Sequence, residues 1–207
     1  MWSIITAAGW PIWPLIFASV VALAIVIERT WALRTSVLVP ADLAQDVTKT
    51  LPQFSDKQNI SRLASHSAMG SVLAEGLSAH LNGADVVLAM QEKAELVSKS
   101  LEKHLDVLAL IASAAPLMGL LGTVVGMIDI FAAQGQAVQS PEAIAAGIAV
   151  ALYNTAFGLI VAIPALVAYR LLKMHIGHIL DKIEQEVQPL EQLLLIAKQK
   201  SAKPARS

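Results

Sequence analysis

The stretch "PLMGLLGTVVGM", from Pro116 to Met127, is uncharged, carries three glycines and has one hydroxyl group, that of Thr123. A second uncharged stretch, "AVALYNTAFGLIVAIP" from Ala149 to Pro164, has the same character and contains Thr155. Small residues within long apolar runs are typical of helices that pack closely against other helices in a membrane. The two stretches therefore predict a pair of membrane-embedded helices.

The composition of the whole chain agrees with a membrane protein. The 207 residues are 56% hydrophobic and only 15% charged, with a mean hydropathy of +0.61, which exceeds the usual range of soluble domains. The chain has no cysteine, so disulfides and thiolate metal sites are excluded. Its basic residues form no cluster with interleaved aromatic residues, and no nucleophile stands with a base and an orienting group. We expect no enzyme activity, no nucleic-acid binding and no cofactor.

Three uncharged apolar runs reach the length of about 20 residues that crosses a bilayer. The first ends at Ile27, the second is Val107 to Ile128 and the third is Ala143 to Tyr169. The first run has no basic flank before it and no small-residue cleavage site after it, so we interpret it as a retained helix and not as a secretory signal. The predicted fold class is an all-α membrane protein with three transmembrane helices.

The cations predict the orientation of these helices. Of the 15 Lys and Arg residues, eight lie between Arg29 and Lys103 and seven between Arg170 and Arg206. None precedes Arg29, and none lies between the second and third apolar runs. By the positive-inside rule the N-terminus is outside the cell membrane, and the C-terminus is in the cytoplasm.

The same pattern divides the chain into four segments. Residues 1–35 hold the outer N-terminal segment and helix one, and residues 36–104 form a cytoplasmic helical region. Residues 105–169 form a hairpin of helices two and three, and residues 170–207 form a cytoplasmic helix with a disordered tail, "KQKSAKPARS". No helix breaker separates Ala84 from helix two, which predicts a long cytoplasmic extension of that helix. Helix three is also predicted to continue, because one apolar stripe follows it at steps of three and four residues: Leu172, Ile176, Ile179, Ile183, Val187, Leu190 and Leu194.

Small residues define one face on each helix of the hairpin. Residues at steps of three and four lie on the same side of a helix, and small side chains there let two helices approach closely in lipid. Pro164 is predicted to bend helix three. The predicted packing residues are Gly119, Gly122, Gly126, Gly147, Ala151, Gly158 and Pro164.

Two interpretations of the threonines remain open at this point. Each hydroxyl can bond the carbonyl one turn back, which has no functional consequence. Alternatively, Thr123 and Thr155 line a narrow polar path together with Asn154, which lies next to Thr155. Hydroxyl groups do not titrate near neutral pH, so a proton path also needs a carboxylate, and the three apolar runs contain none.

Charged residues at the ends of the runs are weaker candidates. Two acids, Glu102 and Asp106, lie at the inner end of helix two, and two bases, Arg170 and Lys173, lie at the inner end of helix three. These charges either form pairs between helices or are simply solvated at the membrane interface. Asp129 and Glu142 at the outer side either concentrate cations or are solvated loop residues. His175 and His178 are three residues apart on a helix but have no third ligand nearby, so no metal site is predicted.

The sequence also resembles a known family. "GLLGTVVGM", followed after a short loop by "GIAVALYNTAFGLIVAIPALVAYR", with one N-terminal span and a long cytoplasmic segment, resembles the MotA/TolQ/ExbB proton-channel family. The three-span layout favours the ExbB/TolQ branch. The resemblance implies a homopentamer in which helices two and three line a central pore, and a single-span ExbD/TolR-like partner whose aspartate titrates. By the same resemblance Thr123 and Thr155 match the family's two pore-facing threonines.

The function implied is that of a proton-channel or motor subunit in the bacterial inner membrane. Such a subunit uses the proton motive force to energise a TonB- or TolA-like protein for outer-membrane transport or maintenance. One position departs from the family, because many relatives have a glutamate five residues before the second threonine and this chain has Val150. A non-conducting membrane scaffold, a sodium-driven stator-like subunit and a self-sufficient transporter are the alternatives.

Overall fold

The computed structural model describes residues 10–50, 56–134 and 141–202, and within these ranges every regular element is an α-helix. Three of the helices are long, and five shorter ones lie between the first and second long helices. In chain order they are α1 Ile12–Ala32, α2 Thr35–Leu38, α3 Leu43–Lys49, α4 Lys57–His66, α5 Ala68–Leu81, α6 Val86–Leu101, α7 Leu105–Gln134 and α8 Pro141–Ala202.

Within the described part of the chain, three helices are long and apolar enough to cross a membrane. The candidate spans lie within Ile12–Ala32 of α1, Leu105–Ala132 of α7 and Gly147–Lys198 of α8, and each range contains an 18-residue stretch, with mean hydropathies of 2.0, 2.1 and 2.0 respectively. This finding confirms the predicted all-helical fold with three candidate transmembrane helices.

The chain folds as two compact units. The first, which we call the span unit, comprises Met1–Arg29 and His104–Leu172; the second, the polar unit, comprises Thr30–Lys103 and Lys173–Ser207. Helix α8 contributes its first part to the span unit and its second part to the polar unit.

The span unit has a small core where its three helices meet. Leu15 of α1, Ala115 of α7 and Ala162 of α8 are buried together, and Met118 and Val161 pack against them. The two alanines allow the large Leu15 side chain to fit between the helices. The opposite side of α1 is exposed and bulky, with Phe17, Val20 and Leu23 as examples. Helix α1 therefore packs through one face only.

Helices α4 to α6 of the polar unit each begin at a capping side chain. Asp56 accepts a hydrogen bond from Gln58 N, Ser67 accepts one from Gly70 N at 2.9 Å, and Asp85 accepts one from Leu88 N. Helix α5 contacts both α4 and α6. Every member of the apolar stripe predicted after helix three is buried, which confirms that α8 continues with one face packed.

Two predictions about helix extent are wrong. The helix predicted to run from Ala84 into helix two is interrupted, because α6 ends at Leu101 and α7 begins at Leu105. The reason is His104, which has a left-handed backbone with φ of 67° and therefore cannot continue a right-handed helix. The predicted disordered tail is helical as far as Ala202, and residues 203–207 lie outside the described part of the chain.

His104 provides a first prediction. We expect His104→Val to unfold at a lower temperature than His104→Gly, because a branched side chain disfavours the left-handed region by about 1–2 kcal/mol and glycine does not. Both variants lose the contact between His104 Nδ1 and Glu28 Oε2 at 3.1 Å, so their difference isolates the backbone effect. Thermal unfolding of the two purified proteins in detergent measures it. Equal midpoints would contradict the left-handed conformation of His104.

Candidate functional site

Helices α7 and α8 touch along their glycine-bearing faces. A Cβ atom added at Gly119 would lie 2.7 Å from the backbone oxygen of Asn154 and 3.1 Å from Thr155 Cα. One added at Gly158 would lie 2.6 Å from the backbone oxygen of Ala115. Real Cβ atoms essentially never come within 3.0 Å of such atoms. The two helices therefore approach closely at Gly119 and Gly158, and this approach depends on the absence of side chains there.

The contact continues in an antiparallel register. Gly122 faces the Asn154 side chain, Gly126 faces Ala151, and Gly147 faces Ile130. Residue numbers rise along α7 as they fall along the facing side of α8, so the two helices form an antiparallel hairpin. The distance between the two helices is not the same at each glycine. A Cβ at Gly126 would be 3.6 Å from Ala151 Cβ, which is an ordinary contact.

Asn154 lies inside this contact. It is only 1% exposed, and a Cβ at Gly122 would be 2.8 Å from Asn154 Cβ and 2.9 Å from its Cγ. The amide side chain thus occupies the space that Gly122 leaves open. Asn154 is a packing residue of the hairpin, and its place in an ion pathway stays a prediction.

The two threonines lie at the same level of the hairpin. Thr123 directly follows Gly122 and Thr155 directly follows Asn154, and Gly122 and Asn154 are in contact. Both threonines are half-buried. Thr123 Oγ1 donates a hydrogen bond of 2.7 Å to the carbonyl oxygen of Leu120, which is the one-turn-back bond of the first interpretation. The Thr155 hydroxyl makes no hydrogen bond to any residue in the described ranges, so the two hydroxyl groups have different environments.

Of the predicted inner-end charges, the two acids lie at helix termini and the two bases lie within α8. Glu102 is the C-cap of α6, and Asp106 lies in the first turn of α7, where the helix dipole favours a negative charge. Arg170 is exposed on α8, as is Lys173. Pairing between these acids and bases stays a prediction.

A charged cluster of Glu28, Arg29 and His104, within the span unit, was missed by sequence reasoning. The Arg29 side chain is 9% exposed, and its Nη2 donates to Glu28 Oε1 at 2.8 Å. His104 Nδ1 lies 3.1 Å from Glu28 Oε2 and 3.4 Å from Arg29 Nη2. The acidic and basic pair at the end of the first apolar run was visible in the sequence. The histidine was not, because 75 residues separate it from Arg29.

Of the two histidines on α8, His175 and His178, His175 forms a hydrogen bond to the backbone. His175 Nε2 donates to the carbonyl oxygen of Leu33 at 2.9 Å, so this ring nitrogen carries a proton. Among the residues that the structure describes, no group of three or more His, Asp or Glu side chains could hold a metal ion.

Comparisons with known proteins place the hairpin in context. The family model of the MotA/TolQ/ExbB proton channel family matches residues 64–185, a range that contains both threonines. Biopolymer transport protein exbB1 of Vibrio cholerae is 29% identical over 180 residues, which cover 83% of this chain and 78% of the relative. The putative biopolymer transport protein ExbB-like 1 of Synechocystis is 31% identical over 212 residues, which cover 92% and 83%. The Tol-Pal system protein TolQ of Haemophilus influenzae is 43% identical over 93 residues, which cover 44% and 39%.

Proposed function

The chain belongs to the MotA/TolQ/ExbB proton channel family, in its ExbB/TolQ branch, and from this premise we propose that it is a proton-channel subunit that works with a second, single-span subunit. The family and the three apolar helices support a multi-pass protein of the inner membrane. In our proposal the N-terminus is periplasmic and the C-terminus cytoplasmic. The complex uses the proton motive force to energise a TonB- or TolA-like protein.

The observation that carries this proposal is the composition of the hairpin around its two hydroxyl groups. Thr123 and Thr155 flank one tight helix contact, and the runs Val107–Ile128 and Ala143–Tyr169 contain no carboxylate. A hydroxyl group can donate to or accept from a proton carrier, but it cannot itself bind and release a proton near neutral pH. The titrating acid of a proton path must therefore come from another chain, and we assign it to an aspartate of an ExbD/TolR-like partner.

Exposed apolar surface on α7 is available to lipid or to further copies of the chain. Leu117, Leu120 and Phe131 on α7 are 67%, 55% and 61% exposed, although they lie in an apolar segment. Such side chains are covered either by lipid or by other helices. We propose that five copies form a ring, that the α7–α8 hairpins line its pore, and that α1 lies outside with its bulky face toward lipid.

One observation favours a second candidate function, a non-conducting scaffold. The Thr123 hydroxyl already bonds Leu120, as a structural threonine does in a membrane helix. The glycine contacts and the packed stripe of α8 are sufficient for assembly without conduction. The two candidates differ in whether the assembled protein moves protons.

Proton flux into liposomes distinguishes them. We expect liposomes that contain this protein together with the proposed single-span ExbD/TolR-like partner to take up protons when a membrane potential is applied. Liposomes with either protein alone, or with a partner whose membrane aspartate is changed to asparagine, are expected to show no uptake. Uptake with this protein alone would indicate a self-sufficient transporter. Absence of uptake with both proteins would favour the scaffold, and a current that follows a sodium gradient instead would identify a sodium-driven subunit.

A further inference from the structure

A groove of about 410 Å³ lies between α6 and α8, within the polar unit. It is separate in the chain from the threonines of the hairpin, and the proposed proton path does not use it. Its lining residues are Val72, Met90, Gln91, Ala94, Glu95, Val97, Ser98, Leu180, Ile183, Glu184, Val187 and Glu191.

The floor of the groove is apolar and well packed. Val72, Met90 and Ile183 are 2%, 3% and 2% exposed, and Val187 is also buried. A Cβ at Gly76 would lie 2.5 Å from Met90 Sδ, so the thioether is held against α5. The floor therefore offers a fixed apolar surface and not a loose cluster of side chains.

The rim of the groove is acidic. Glu95, Glu184 and Glu191 line it, and no Lys or Arg residue does. Glu184 and Glu191 are seven residues apart, so they lie on the same side of α8 two turns from each other. Neither forms an ion pair with a residue in the described part of the chain. Glu95 accepts a contact of 2.7 Å from Lys99, and this hydrogen bond lowers the pKa of the Glu95 carboxyl group, which is therefore ionised at neutral pH.

We propose that this groove binds the cytoplasmic flank of the single-span partner, as a short segment that presents both apolar and basic side chains. The argument is one of charge complementarity: an apolar floor with two carboxylates on its rim, Glu184 and Glu191, that form no ion pair with a described residue fits a segment with Lys or Arg beside apolar anchors. The cytoplasmic flank of an inner-membrane span is the flank that carries excess Lys and Arg, by the same rule that orients this chain. The inference rests on the proposed function, because it takes the partner from it.

The role of a contact in this groove is to bind the partner at a second site, in addition to the site of its membrane span. The proposed proton path holds the partner's span within the membrane, where the contact must change as protons pass. A flank bound between α6 and α8 raises the effective concentration of the span at its own site without adding contacts inside the pore. The groove thus separates retention of the partner from the proton-dependent step.

A photoreactive residue tests this placement. Benzoylphenylalanine is introduced at Gln91 on the rim, and as a matched control at Ser100, which is exposed on α6 but does not line the groove. The purified complex with the partner is irradiated and the adducts are identified by mass. We expect an adduct with the cytoplasmic flank of the partner from position 91 and none from position 100.

Charge reversal on α8 provides the second measurement. We expect Glu184→Lys combined with Glu191→Lys to reduce the yield of this adduct roughly five- to tenfold, because attraction at two rim positions becomes repulsion. Glu186→Lys is the single-reversal control, since Glu186 lies outside the groove. The single variants Glu184→Lys and Glu191→Lys change the net charge by the same amount as Glu186→Lys and are compared with it.

The outcomes separate this inference from the proposed function. If the partner co-purifies but position 91 gives no adduct, or gives an adduct with a second copy of this chain, the groove assignment is wrong and the channel proposal stands. An adduct yield that the groove reversals leave unchanged also overturns the assignment. If the partner does not co-purify with the unmodified chain, the proposed function itself is wrong.

Discussion

Gly119→Ala is expected to destabilise the α7–α8 hairpin, whereas Gly126→Ala is expected to leave it intact. The added methyl group at Gly119 meets the backbone oxygen of Asn154 at 2.7 Å, and a backbone atom inside a helix cannot move aside. Overpacking of this kind costs about 1–3 kcal/mol, or more where the obstacle is rigid. At Gly126 the nearest atom is Ala151 Cβ at 3.6 Å, so the methyl group fits.

The two substitutions are a matched pair. Both replace glycine by alanine within α7, so both gain the same helix propensity of about 1 kcal/mol, and their difference reports the fit between the helices. Thermal unfolding in detergent and the yield of assembled complex after size-exclusion chromatography provide the measurements. Gly158→Ala is expected to resemble Gly119→Ala, because its methyl group would lie 2.6 Å from the Ala115 oxygen. Equal stability of the Gly119 and Gly126 variants would contradict the hairpin register.

The faces of the hairpin could be predicted from sequence because they depend on local spacing. Glycines at steps of three and four residues mark one side of a helix whatever it packs against. The stripe from Leu172 to Leu194 is buried for the same reason, since a period near 3.6 residues predicts one packed face. These signals need no knowledge of the partner element.

The opposing residue in each contact could not be predicted in this way. Asn154 and Thr155 are adjacent polar residues on one apolar helix, and their sequence positions alone predict that both line the polar path. The structure buries the Asn154 side chain against Gly122, which depends on how α7 and α8 are aligned along their length. That alignment is a property of the tertiary structure, because it depends on which side chain of α8 packs against which glycine of α7.

The break at His104 was missed for a related reason. No glycine or proline interrupts the sequence between Ala84 and Pro116, so local propensity favours one continuous helix. The left-handed backbone of His104 is accompanied by contact with Glu28, a residue far away in the chain. The run of three polar residues from Glu102 to His104 does not mark the break, because similar runs at 91–93 and 98–100 lie inside α6.

Thr155→Val is expected to abolish most of the partner-dependent proton flux, while Thr155→Ser retains it. The Thr155 hydroxyl makes no hydrogen bond to the residues that the structure describes, so it is available to the carboxyl group of a partner. A hydrogen bond to a charged group contributes about 1.5–3 kcal/mol, which corresponds to a roughly ten- to hundredfold loss of rate when it is lost at the rate-limiting step. Serine keeps the hydroxyl group and should keep the flux.

Thr123→Val is expected to have a smaller effect than Thr155→Val. The Thr123 hydroxyl donates a hydrogen bond to Leu120 O at 2.7 Å, so only its acceptor capacity remains for a proton carrier. All the variants are compared in liposomes with the partner present, at equal amounts of assembled complex. Valine has nearly the shape of threonine, so equal assembly is expected and a loss of flux then reports the hydroxyl group. Full flux in both Thr155→Val and Thr123→Val would assign both threonines to packing, and it would leave the partner's aspartate without a hydroxyl contact at this level of the hairpin.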